Sequence, residues 1–350
     1  MKQYCKDMKK CIELAQKALG NTSPNPLVGC VILDKTGKEI ATGYHKKYGE
    51  LHAERDALNK LESAKNCTLI VNLEPCCHYG KTPPCTDIII EKGIKKVVYG
   101  MKDPNPLVAG KGIEILKNAG VEIIGPVLEN ECKKLNEIFI KNKTKNLPFV
   151  AIKTATTIDG KIATHNGDSK WITSQKARQK AKELRTHYDA IMTSSKTVIT
   201  DNPEMKHHTK IILDREQKTD KNAIIYEKGS IYVFCENPKT DKAGNIKYIK
   251  TPVNNQKLDI GYILKKLFDL GIMSIFVEAG GTLNAGMLPY TDKIYHFIAP
   301  KILGDNTGKT CFNGCRKDLI TQCTDFCIEK TEFYPPDILN IYAKPPKDLQ

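Results

Sequence analysis

The residues of this chain best suited to chemistry are a histidine, a glutamate and two cysteines. His52 and Glu54 stand at the start of a predicted helix, and Cys76 and Cys85 lie in a loop that follows a predicted strand. One imidazole and two thiolates are the three protein ligands of a catalytic zinc, whose fourth position stays open for water. Glu54 would carry a proton from that water to a leaving amine and would not bind the metal.

Other interpretations of the same residues stay open. His52 and Glu54 could be surface groups, and the cysteines could be small buried apolar residues. Cys77 or His78 could replace a ligand, although Cys77 follows Cys76 directly and cannot easily share its direction. The placement of His-x-Glu on a helix and of the cysteine loop after a strand favours zinc and the deaminase signature. Helix amino termini at both motifs would also favour the thiolate form of the two ligand cysteines.

The elements that would position these residues alternate between helix and strand. Apolar residues recur at helical spacing from Met8 to Leu19, and a turn rich in Gly, Asn, Ser and Pro follows. Beyond that turn the pattern predicts strands at 28–33, 40–44, 67–73, 97–100 and 121–124, and helices at 52–61, 87–91, 112–118 and 128–140. Such β-α alternation predicts an α/β sandwich with a largely parallel sheet.

A polar segment at 141–148, which ends in Pro148, predicts a boundary between two domains. We therefore expect one domain at 1–145 and a second at 146–350, each long enough for its own core. The second part has predicted strands at 149–156, 190–193, 211–213, 274–278, 294–299, 326–331 and 339–342, and helices at 175–185 and 260–270. This pattern again predicts an α/β fold.

Composition excludes several classes of protein. Of the 350 residues 40% are hydrophobic, and no apolar run approaches the ~18 residues of a membrane span. The Lys-rich amino terminus leads into an amphipathic pattern and not into an apolar signal sequence, so we expect a cytoplasmic protein. Thirteen cysteines without a secretory signal indicate metal binding or catalysis before disulfides. The formal net charge of +14 suits phosphorylated ligands, although the lysines are spread along the whole chain.

The zinc motif resembles that of the cytidine deaminase superfamily. Eight residues separate Cys76 from Cys85, where the nucleoside and transfer-RNA members usually have two, and this spacing is similar to the riboflavin-pathway branch. The segments Ser23-Pro24-Asn25-Pro26-Leu27-Val28-Gly29 and Asp103-Pro104-Asn105-Pro106 are also similar to that bifunctional deaminase and reductase branch. The resemblance implies a cytidine-deaminase-like α/β/α sandwich followed by a dihydrofolate-reductase-like α/β domain. Cys77 departs from the family, which usually has Ser there.

The second domain resembles the reductase half of the same branch. The similar residues are Lys153, the run 156–163 (Thr-Thr-Ile-Asp-Gly-Lys-Ile-Ala), the run 169–174 (Ser-Lys-Trp-Ile-Thr-Ser) and the run 278–284 (Glu-Ala-Gly-Gly-Thr-Leu-Asn). The resemblance implies that Lys153 is catalytic and aims its ammonium at the sugar of the substrate. It also implies NADPH contacts by Ala155, Trp171, Thr197, Asp201, Gly280, Gly281 and Thr282, and substrate contacts by Ser169, Arg185, Met205, His208 and Glu278.

From the residues alone, the support for these reductase roles is thinner. Glycines after a strand let the backbone approach a phosphate, but a tight strand-to-helix turn needs them equally. The run 169–174 reads as a turn with a helix cap at Thr173 or Ser174, and a single Trp is more often a packed aromatic than a cofactor contact. Arg185 suits a phosphate because a guanidinium binds it through two parallel hydrogen bonds.

Two further segments leave alternatives open. After Asp201-Asn202-Pro203 the family generally continues through an apolar residue to Arg, whereas this chain has Glu204-Met205-Lys206-His207-His208. Lys206 or His208 could meet the substrate phosphate, or the histidines could belong to a plain loop. Four thiolates could also close a structural zinc site, although ordinary reduced cysteines are the simpler interpretation; the candidates are Cys311, Cys315, Cys323 and Cys327.

Residues and resemblance together predict a bifunctional enzyme of riboflavin biosynthesis. The zinc domain would deaminate 2,5-diamino-6-(5-phosphoribosylamino)pyrimidin-4-one, and the second domain would reduce the ribosyl to the ribityl side chain with NADPH. We expect one Zn²⁺ per chain, phosphorylated pyrimidines as ligands, no nucleic acid or membrane partner, and a homo-oligomer. The alternatives are a nucleic-acid or nucleoside base deaminase, which the long cysteine loop disfavours, and a non-catalytic zinc-stabilised nucleic-acid-binding protein, which Glu54 disfavours.

Overall fold

The computed structural model describes residues 2–80, 82–105, 109–240, 242–314 and 316–345. Lys81, Pro106 and Cys315, which belong to segments singled out in the sequence, lie outside the described residues. The chain divides into two compact units, Met1–Asn146 and Leu147–Gln350, which we call unit 1 and unit 2. Within the described ranges, none of the helices has the length and apolar character needed to cross a membrane.

Unit 1 is built around one five-stranded sheet. Its elements are α1 (Cys5–Gln16), β1 (Gly29–Leu33), β2 (Glu39–Tyr44), α2 (Ala53–Leu58), β3 (Thr68–Leu73), α3 (Cys85–Glu91), β4 (Lys96–Met101), α4 (Lys111–Asn118), β5 (Glu122–Ile124), α5 (Glu129–Leu135) and α6 (Glu137–Lys145). The strand order is β2-β1-β3-β4-β5. Only the pairs β3–β4 and β4–β5 are parallel, because β1 pairs antiparallel with both of its neighbours. The expectation of a largely parallel sheet was therefore wrong for the hairpin half of this unit.

Two glycines let helices approach the sheet closely from opposite faces. A Cβ on Gly29 would lie 2.1 Å from the carbonyl oxygen of Cys11 in α1, and one on Gly43 would lie 2.4 Å from that of Ala53 in α2. Cys30, the neighbour of Gly29, pairs with Gly43, and successive residues of a strand point to opposite faces. Unit 1 is thus an α/β/α sandwich, and the helix that carries Glu54 packs directly on the sheet.

The region around residues 128–146 differs from its sequence prediction. The predicted helix at 128–140 is interrupted at Asn136, and α6 continues through Lys145, where a linker was expected. Asn136 is buried, and both ends of its amide group bond the backbone of Leu27, which accounts for a buried polar residue at this position. The helix ends at Asn146, whose φ of 53° is left-handed and is common at helix carboxyl ends.

Unit 2 contains a ten-stranded sheet. Its elements are β6 (Phe149–Thr156), β7 (Lys161–Ala163), α7 (Gln175–Arg185), β8 (Ala190–Ser194), α8 (Ser195–Asp201), β9 (Thr209–Leu213), β10 (Ser230–Cys235), β11 (Lys242–Ala243), β12 (Ile246–Lys250), β13 (Val253–Asn254), β14 (Lys257–Leu258), α9 (Ile260–Asp269), β15 (Ser274–Val277), α10 (Gly281–Met287), β16 (Lys293–Ile298), β17 (Lys309–Thr310), β18 (Cys327–Tyr334) and β19 (Asp337–Ala343). The order of the large sheet is β11-β12-β10-β9-β8-β15-β6-β16-β19-β18. The seven strands from β12 to β16 run parallel, and β11, β18 and β19 are antiparallel additions. The sequence analysis missed β10, whose apolar run spans only residues 231–235, and β12, in which Lys247 and Lys250 interrupt the apolar residues.

Alternation along the central strands separates two apolar layers. Val150 and Ile152 of β6 face the layer that includes α9 and α10. Ile191 of β8 and Ile212 of β9 face a second layer, which includes Val198 of α8. Lys153 points to the face opposite Ile152, since neighbouring residues of a strand alternate. A charged side chain therefore enters the sheet's second face close to α7.

Candidate active sites

The three predicted metal ligands of unit 1 converge. His52 is the residue before α2, Cys76 follows β3, and Cys85 is the first residue of α3. Their ligand atoms all lie within 4.8 Å of one another, and the structure gathers no other such group among the residues it describes. The Nδ1 atom of His52 is 3.4 Å from Sγ of Cys76 and 3.5 Å from Sγ of Cys85.

These separations fit a zinc ion. With Zn–S near 2.3 Å and Zn–N near 2.0 Å, tetrahedral ligands place nitrogen and sulfur about 3.5 Å apart. Both nitrogen–sulfur distances meet that requirement without movement of the chain. The donor set of one imidazole and two sulfurs is that of a three-ligand zinc site, and Cys77 is not a member of the group.

The pKa values of the two ligand sulfurs shift in opposite directions. Hydrogen bonding with Cys85 and His52 lowers the pKa of Cys76 despite its burial, and the backbone N–H of Cys85 also donates to its sulfur at 3.3 Å. The pKa of Cys85 moves the other way, because the hydrogen bond with Cys76 and burial both favour its thiol form. With Cys76 as a thiolate and Cys85 as a thiol, a metal that binds both sulfurs needs to displace only the proton of Cys85.

Glu54 is a buried carboxylate beside this group. It is 3% exposed, in the first turn of α2. Burial is the main cause that raises its pKa, and the negative charge of Cys76 adds to the effect. A carboxylate whose protonated and ionised forms are brought closer in energy suits proton transfer.

A cavity of about 270 Å³ opens onto His52, Glu54 and Cys76. Its walls are made by side chains whose roles the sequence analysis did not assign, and they include Asn25, His45, Asp103, Asn105 and Lys143. Asn25 and Asp103 stand in the two segments that resemble the riboflavin-pathway branch. The position of Asp103 after β4 could have revealed it, because β4 lies parallel to β3 and ends at the same edge as the cysteine loop.

Glu74 fixes one wall of this cavity. Its Oε1 accepts the backbone N–H groups of Gly112 and Ile113 at 3.1 and 3.4 Å, and its Oε2 accepts those of Asp103 and Gly110 at 3.1 and 3.0 Å. The residue is 3% exposed. A carboxyl group that accepts four N–H groups holds the backbone in place, so the two buried glutamates near the metal ligands have different tasks.

Two buried asparagines, Asn72 and Asn136, fix another segment that lines the cavity. Asn136 accepts the N–H of Leu27 at 2.8 Å and donates to its carbonyl oxygen at 3.0 Å, as a neighbouring strand would. Asn72 donates to the same carbonyl at 2.9 Å and accepts the N–H of Gly29 at 2.8 Å. The segment with Asn25 is therefore held from outside the cavity.

In unit 2 the structure brings together three predicted site residues. Nε and Nη2 of Arg185, at the end of α7, donate to the two carboxylate oxygens of Glu278 at 2.6 and 2.8 Å. Burial would raise the pKa of Glu278, but the hydrogen bonds and charge of Arg185 outweigh it and lower that pKa. Lys153 lies near both groups, and burial lowers the pKa of its ammonium although Glu278 opposes the shift.

The expectation that Arg185 binds a phosphate through two parallel hydrogen bonds needs correction. The two parallel donors that would suit a phosphate are occupied by Glu278, so bidentate phosphate binding by that edge of the guanidinium is not available in this structure. Lys153 also has its Nζ 5.9 Å from the ring centroid of Phe297, on the neighbouring strand. Lys153 is therefore buried near the charges of Arg185 and Glu278 and the ring of Phe297, where an ammonium group is costly to hold.

The residues with predicted NADPH contacts collect at one edge of the unit 2 sheet. Ala155 lies near the carboxyl end of β6, Thr197 in the first turn of α8 after β8, and Gly280 just after β15. Parallel strands place these ends side by side, where α/β proteins bind nucleotides. Asp201 is the last residue of α8 and Thr282 is an exposed residue of α10.

Of the two glycines, only Gly280 leaves room for a ligand. A Cβ on Gly281 would lie 2.3 Å from the carbonyl oxygen of Thr310, so this position requires glycine for packing. A Cβ on Gly280 would meet no atom within 4 Å, which leaves room for an approaching group. The first N–H groups of α10 lack intrahelical acceptors and face the same place. These features fit the pyrophosphate of a nicotinamide cofactor.

Trp171 is not a packed core residue. Its side chain is 60% exposed, which contradicts the interpretation of the lone Trp as an ordinary packed aromatic. The guanidinium carbon of Arg178 lies 4.3 Å from the centroid of the indole ring. Ser169 nearby is half-buried, and Ser174, not Thr173, caps α7 by accepting the N–H of Ala177.

The remaining predicted substrate contacts are placed less favourably. Met205 is 8% exposed and packs in the second apolar layer, so its side chain is a core residue and only its backbone could meet a substrate. His208 is exposed, and its carbonyl oxygen accepts the N–H of Ser230 at 2.8 Å. His207 is held by the carbonyl oxygens of Thr209 and Tyr188, each 2.9 Å from a ring nitrogen.

The carboxy-terminal cysteines form no metal group among the residues described. Cys323 and Cys327 are exposed and Cys311 is half-buried, each as a free thiol. Burial raises the pKa of Cys311. The structure therefore gives no support to a second zinc site from the part of this segment that it describes.

Two family models match the chain, one in each unit. The cytidine and deoxycytidylate deaminase zinc-binding region matches residues 1–101. The RibD C-terminal domain matches residues 148–337, which is more than half of the chain.

Whole-length relatives match in sequence and in structure. The riboflavin biosynthesis protein RibD of Actinobacillus pleuropneumoniae is 39% identical over 96% of this chain and 94% of its own length. That of Aquifex aeolicus is 42% identical over 85% and 87%. A crystal structure from Thermotoga maritima, of a diaminohydroxyphosphoribosylaminopyrimidine deaminase/5-amino-6-(5-phosphoribosylamino)uracil reductase, is 40% identical, covers 98% of this chain and 99% of that one, and gives a TM-score of 0.89.

The chain belongs to the RibD family. RibD of Acinetobacter baumannii, 33% identical, also covers 99% of both chains with a TM-score of 0.88. As a RibD, the chain is a bifunctional deaminase and reductase of riboflavin biosynthesis, and its cofactors are Zn²⁺ and NADPH. The predicted fold, a deaminase-like α/β/α sandwich followed by a reductase-like α/β domain, is confirmed.

Proposed function

We propose that this chain deaminates 2,5-diamino-6-(5-phosphoribosylamino)pyrimidin-4-one and then reduces the ribosyl group of the product to ribityl. The observation that carries the proposal is the convergence of His52, Cys76 and Cys85 beside the buried Glu54. The activities named for the related Thermotoga maritima protein support the choice of substrate. The coarser conclusion, a phosphorylated pyrimidine as substrate, follows from the family.

For deamination we assign His52, Cys76 and Cys85 as the residues that hold zinc. When bound, zinc supplies the Lewis acidity that activates water at neutral pH. Glu54 takes a proton from the water and returns it to the leaving amine, so that the ring amidine carbon gains oxygen and ammonia departs. Asn25, Asp103 and Asn105 line the cavity and orient the ring.

For reduction we assign Lys153 as the group that acts on the sugar. The reaction breaks the bond between the sugar C1′ and the ring oxygen, adds a hydride to C1′ and adds a proton to that oxygen, which becomes a hydroxyl. NADPH supplies the hydride when bound. Lys153 holds its proton toward the sugar, and Glu278, kept ionised by Arg185, sets the charge around that ammonium. Ser169 and the backbone of Met205 complete the substrate contacts, and His208 or Lys206 meets the phosphate.

We further propose that the two activities are divided between the units. Deamination belongs to the predicted domain 1–145 and reduction to the predicted domain 146–350. Support comes from the separate family matches and from the division of the chain after Asn146. We propose a cytoplasmic homo-oligomer with no nucleic acid or membrane partner, because the family's substrates are small phosphorylated molecules.

The test is an assay of the purified chain with the phosphoribosylaminopyrimidine, with and without NADPH. Ammonia release without NADPH, followed on its addition by a product two mass units heavier than the deaminated compound, is the expected result, since reduction adds a hydride and a proton. Release of ammonia from cytidine or from single-stranded nucleic acid, but not from this substrate, would favour the base-deaminase alternative.

A further inference from the structure

We infer that Arg178 is a positioning residue for NADPH: it holds the indole of Trp171 so that one ring face is presented to the cofactor. The inference rests on the proposed reductase function. It adds to that function a residue that does not touch the reacting atoms but determines how a cofactor contact is presented.

The indole has one covered face and one open face. The guanidinium of Arg178 lies 4.3 Å from the ring centroid, within the range of a cation–π contact. The side chain nevertheless stays 60% exposed, so the face opposite Arg178 is open. An exposed aromatic ring of this size leaves apolar surface in water, and a planar ligand that stacks on it removes that surface.

Three further hydrogen bonds fix the backbone around the ring. Nη1 of Arg178 donates to the carbonyl oxygen of Thr173 at 2.6 Å, and Nζ of Lys301 donates to that of Trp171 at 2.7 Å. The N–H of Ser174 donates to the buried carboxylate of Asp337 at 2.7 Å. A ring held from behind and at both ends of its segment is preorganised, which lowers the entropic cost of binding.

The ring lies at the edge of the sheet where the other predicted cofactor contacts collect. Lys301 follows the carboxyl end of β16, and its carbonyl oxygen accepts the N–H of Ile158, which follows β6, at 2.8 Å. Ala155 is near the end of the same strand β6. Arg178 and Lys301 also bring two positive charges to a place where a ligand with several phosphates would bind.

The experiment uses the fact that Trp171 is the only Trp of the chain. Indole emission overlaps the absorption of reduced nicotinamide, so energy transfer reports directly on this ring when the full-length protein is titrated with NADPH. The variants are Arg178→Met, which keeps the length without the charge, Arg178→Lys, which keeps the charge without the planar group, and Lys176→Met as an exposed control on the same helix.

Arg178→Met should weaken NADPH binding about 5- to 30-fold, from loss of a cation–π contact and one hydrogen bond. Energy transfer at saturation should fall as the ring becomes mobile, Arg178→Lys should recover part of both effects, and Lys176→Met should match the unmodified protein. Ammonia release should stay unchanged in all variants, and an unaltered urea-unfolding transition followed by circular dichroism shows that unit 2 of each variant folds.

Two results would overturn the inference and leave the reductase function standing. One is calorimetric NADPH binding by the unmodified protein without any change in Trp emission. The other is unaltered affinity and energy transfer in Arg178→Met. If the unmodified protein binds no NADPH at all, the reductase function fails and the inference fails with it.

Discussion

The zinc site of unit 1 and the lysine site of unit 2 are assembled in different ways. The metal ligands come from a stretch of 34 residues and from the ends of neighbouring elements, so their types and spacing were already visible in the sequence. Lys153, Arg185 and Glu278 come from one strand, one helix and a turn spread over 126 residues. Only the parallel sheet brings them together.

This difference has a chemical origin. A metal restricts its ligands to a few residue types and to a fixed geometry, so a short motif carries much of the information. The lysine site depends instead on burial and on charges supplied from elsewhere in the fold, which no local pattern records. If the two sites are independent, changes in one should leave the other reaction intact.

Cys76→Ser should give the largest effect, because it removes a ligand that the structure places 3.4 Å from Nδ1 of His52. We expect bound zinc to fall from about one equivalent to near zero and ammonia release to be lost. Reduction of supplied deaminated intermediate should continue. Cys77→Ser is the matched control, since Cys77 lies outside the ligand group. Loss of reduction in folded Cys76→Ser protein would show that the two sites are not independent.

Glu54→Gln should lower ammonia release by about 10²- to 10⁴-fold and leave zinc bound, because the carboxylate moves protons and does not coordinate. Metal analysis and an ammonia assay on the same sample measure both effects. Glu62→Gln, an exposed change shortly after α2, should do nothing. If Glu54→Gln also loses its zinc, the assigned role is wrong.

Lys153→Met should suppress reduction by about 10²-fold or more, since a positioned proton donor contributes at least that much. Methionine fits the buried site without a charge. Ammonia release should keep the rate of the unmodified protein, and Lys247→Met, an exposed change in β12, should affect neither reaction. Normal reduction by Lys153→Met would remove the lysine from the mechanism.

The sequence predicted the deaminase half more fully than the reductase half. His52, Glu54, Cys76 and Cys85 were named from type and spacing, and the structure gathers them. The walls of the cavity were missed, because Glu74, Asn72 and Asn136 act through the backbone of distant segments. Such contacts follow from tertiary packing and leave no periodic signal.

In unit 2 the sequence named Lys153, Arg185 and Glu278 as site residues but did not show the contacts among them. Arg185 looked like a phosphate ligand, and only the fold shows that Glu278 occupies its paired donors. Met205 was expected to contact substrate, although the fold buries its side chain among apolar neighbours. A single sequence gives the chemistry of a side chain but not what it faces.

Glu278→Gln should destabilise unit 2 by about 3 kcal/mol, because it leaves the guanidinium of Arg185 buried without its counter-charge. The exposed pair Lys180–Glu183 offers a control: Glu183→Gln should cost less than about 1 kcal/mol. Urea unfolding followed by the emission of Trp171 measures both changes. Equal costs would mean that burial does not distinguish the two pairs.

The loss of stability caused by Glu278→Gln should also depend on pH. The pKa of Glu278 is lower in the folded state than the usual value of about 4.3. Its ionised form therefore contributes stability above the unfolded pKa and loses that contribution as pH falls through the folded pKa. The difference between the unmodified protein and Glu278→Gln should be full near pH 7 and should shrink below about pH 4. A difference that grows in acid would contradict the assignment of the charge.

Asn136→Ala should have the smallest effect and should be confined to unit 1. It removes the acceptor for the N–H of Leu27 and one of two donors to its carbonyl oxygen, while Asn72 keeps the other. We expect a loss of about 1–3 kcal/mol in the stability of unit 1, the usual cost of leaving a buried N–H unsatisfied. Because the freed segment carries Asn25 into the cavity wall, KM for deamination should rise several-fold while zinc content and kcat change little. Asn136→Asp, which keeps the acceptor, should recover part of the KM effect, and the exposed Asn118→Ala should show none. A fall in kcat with KM unchanged would mean that Leu27 and its neighbours act on the metal side of the site and not on substrate binding.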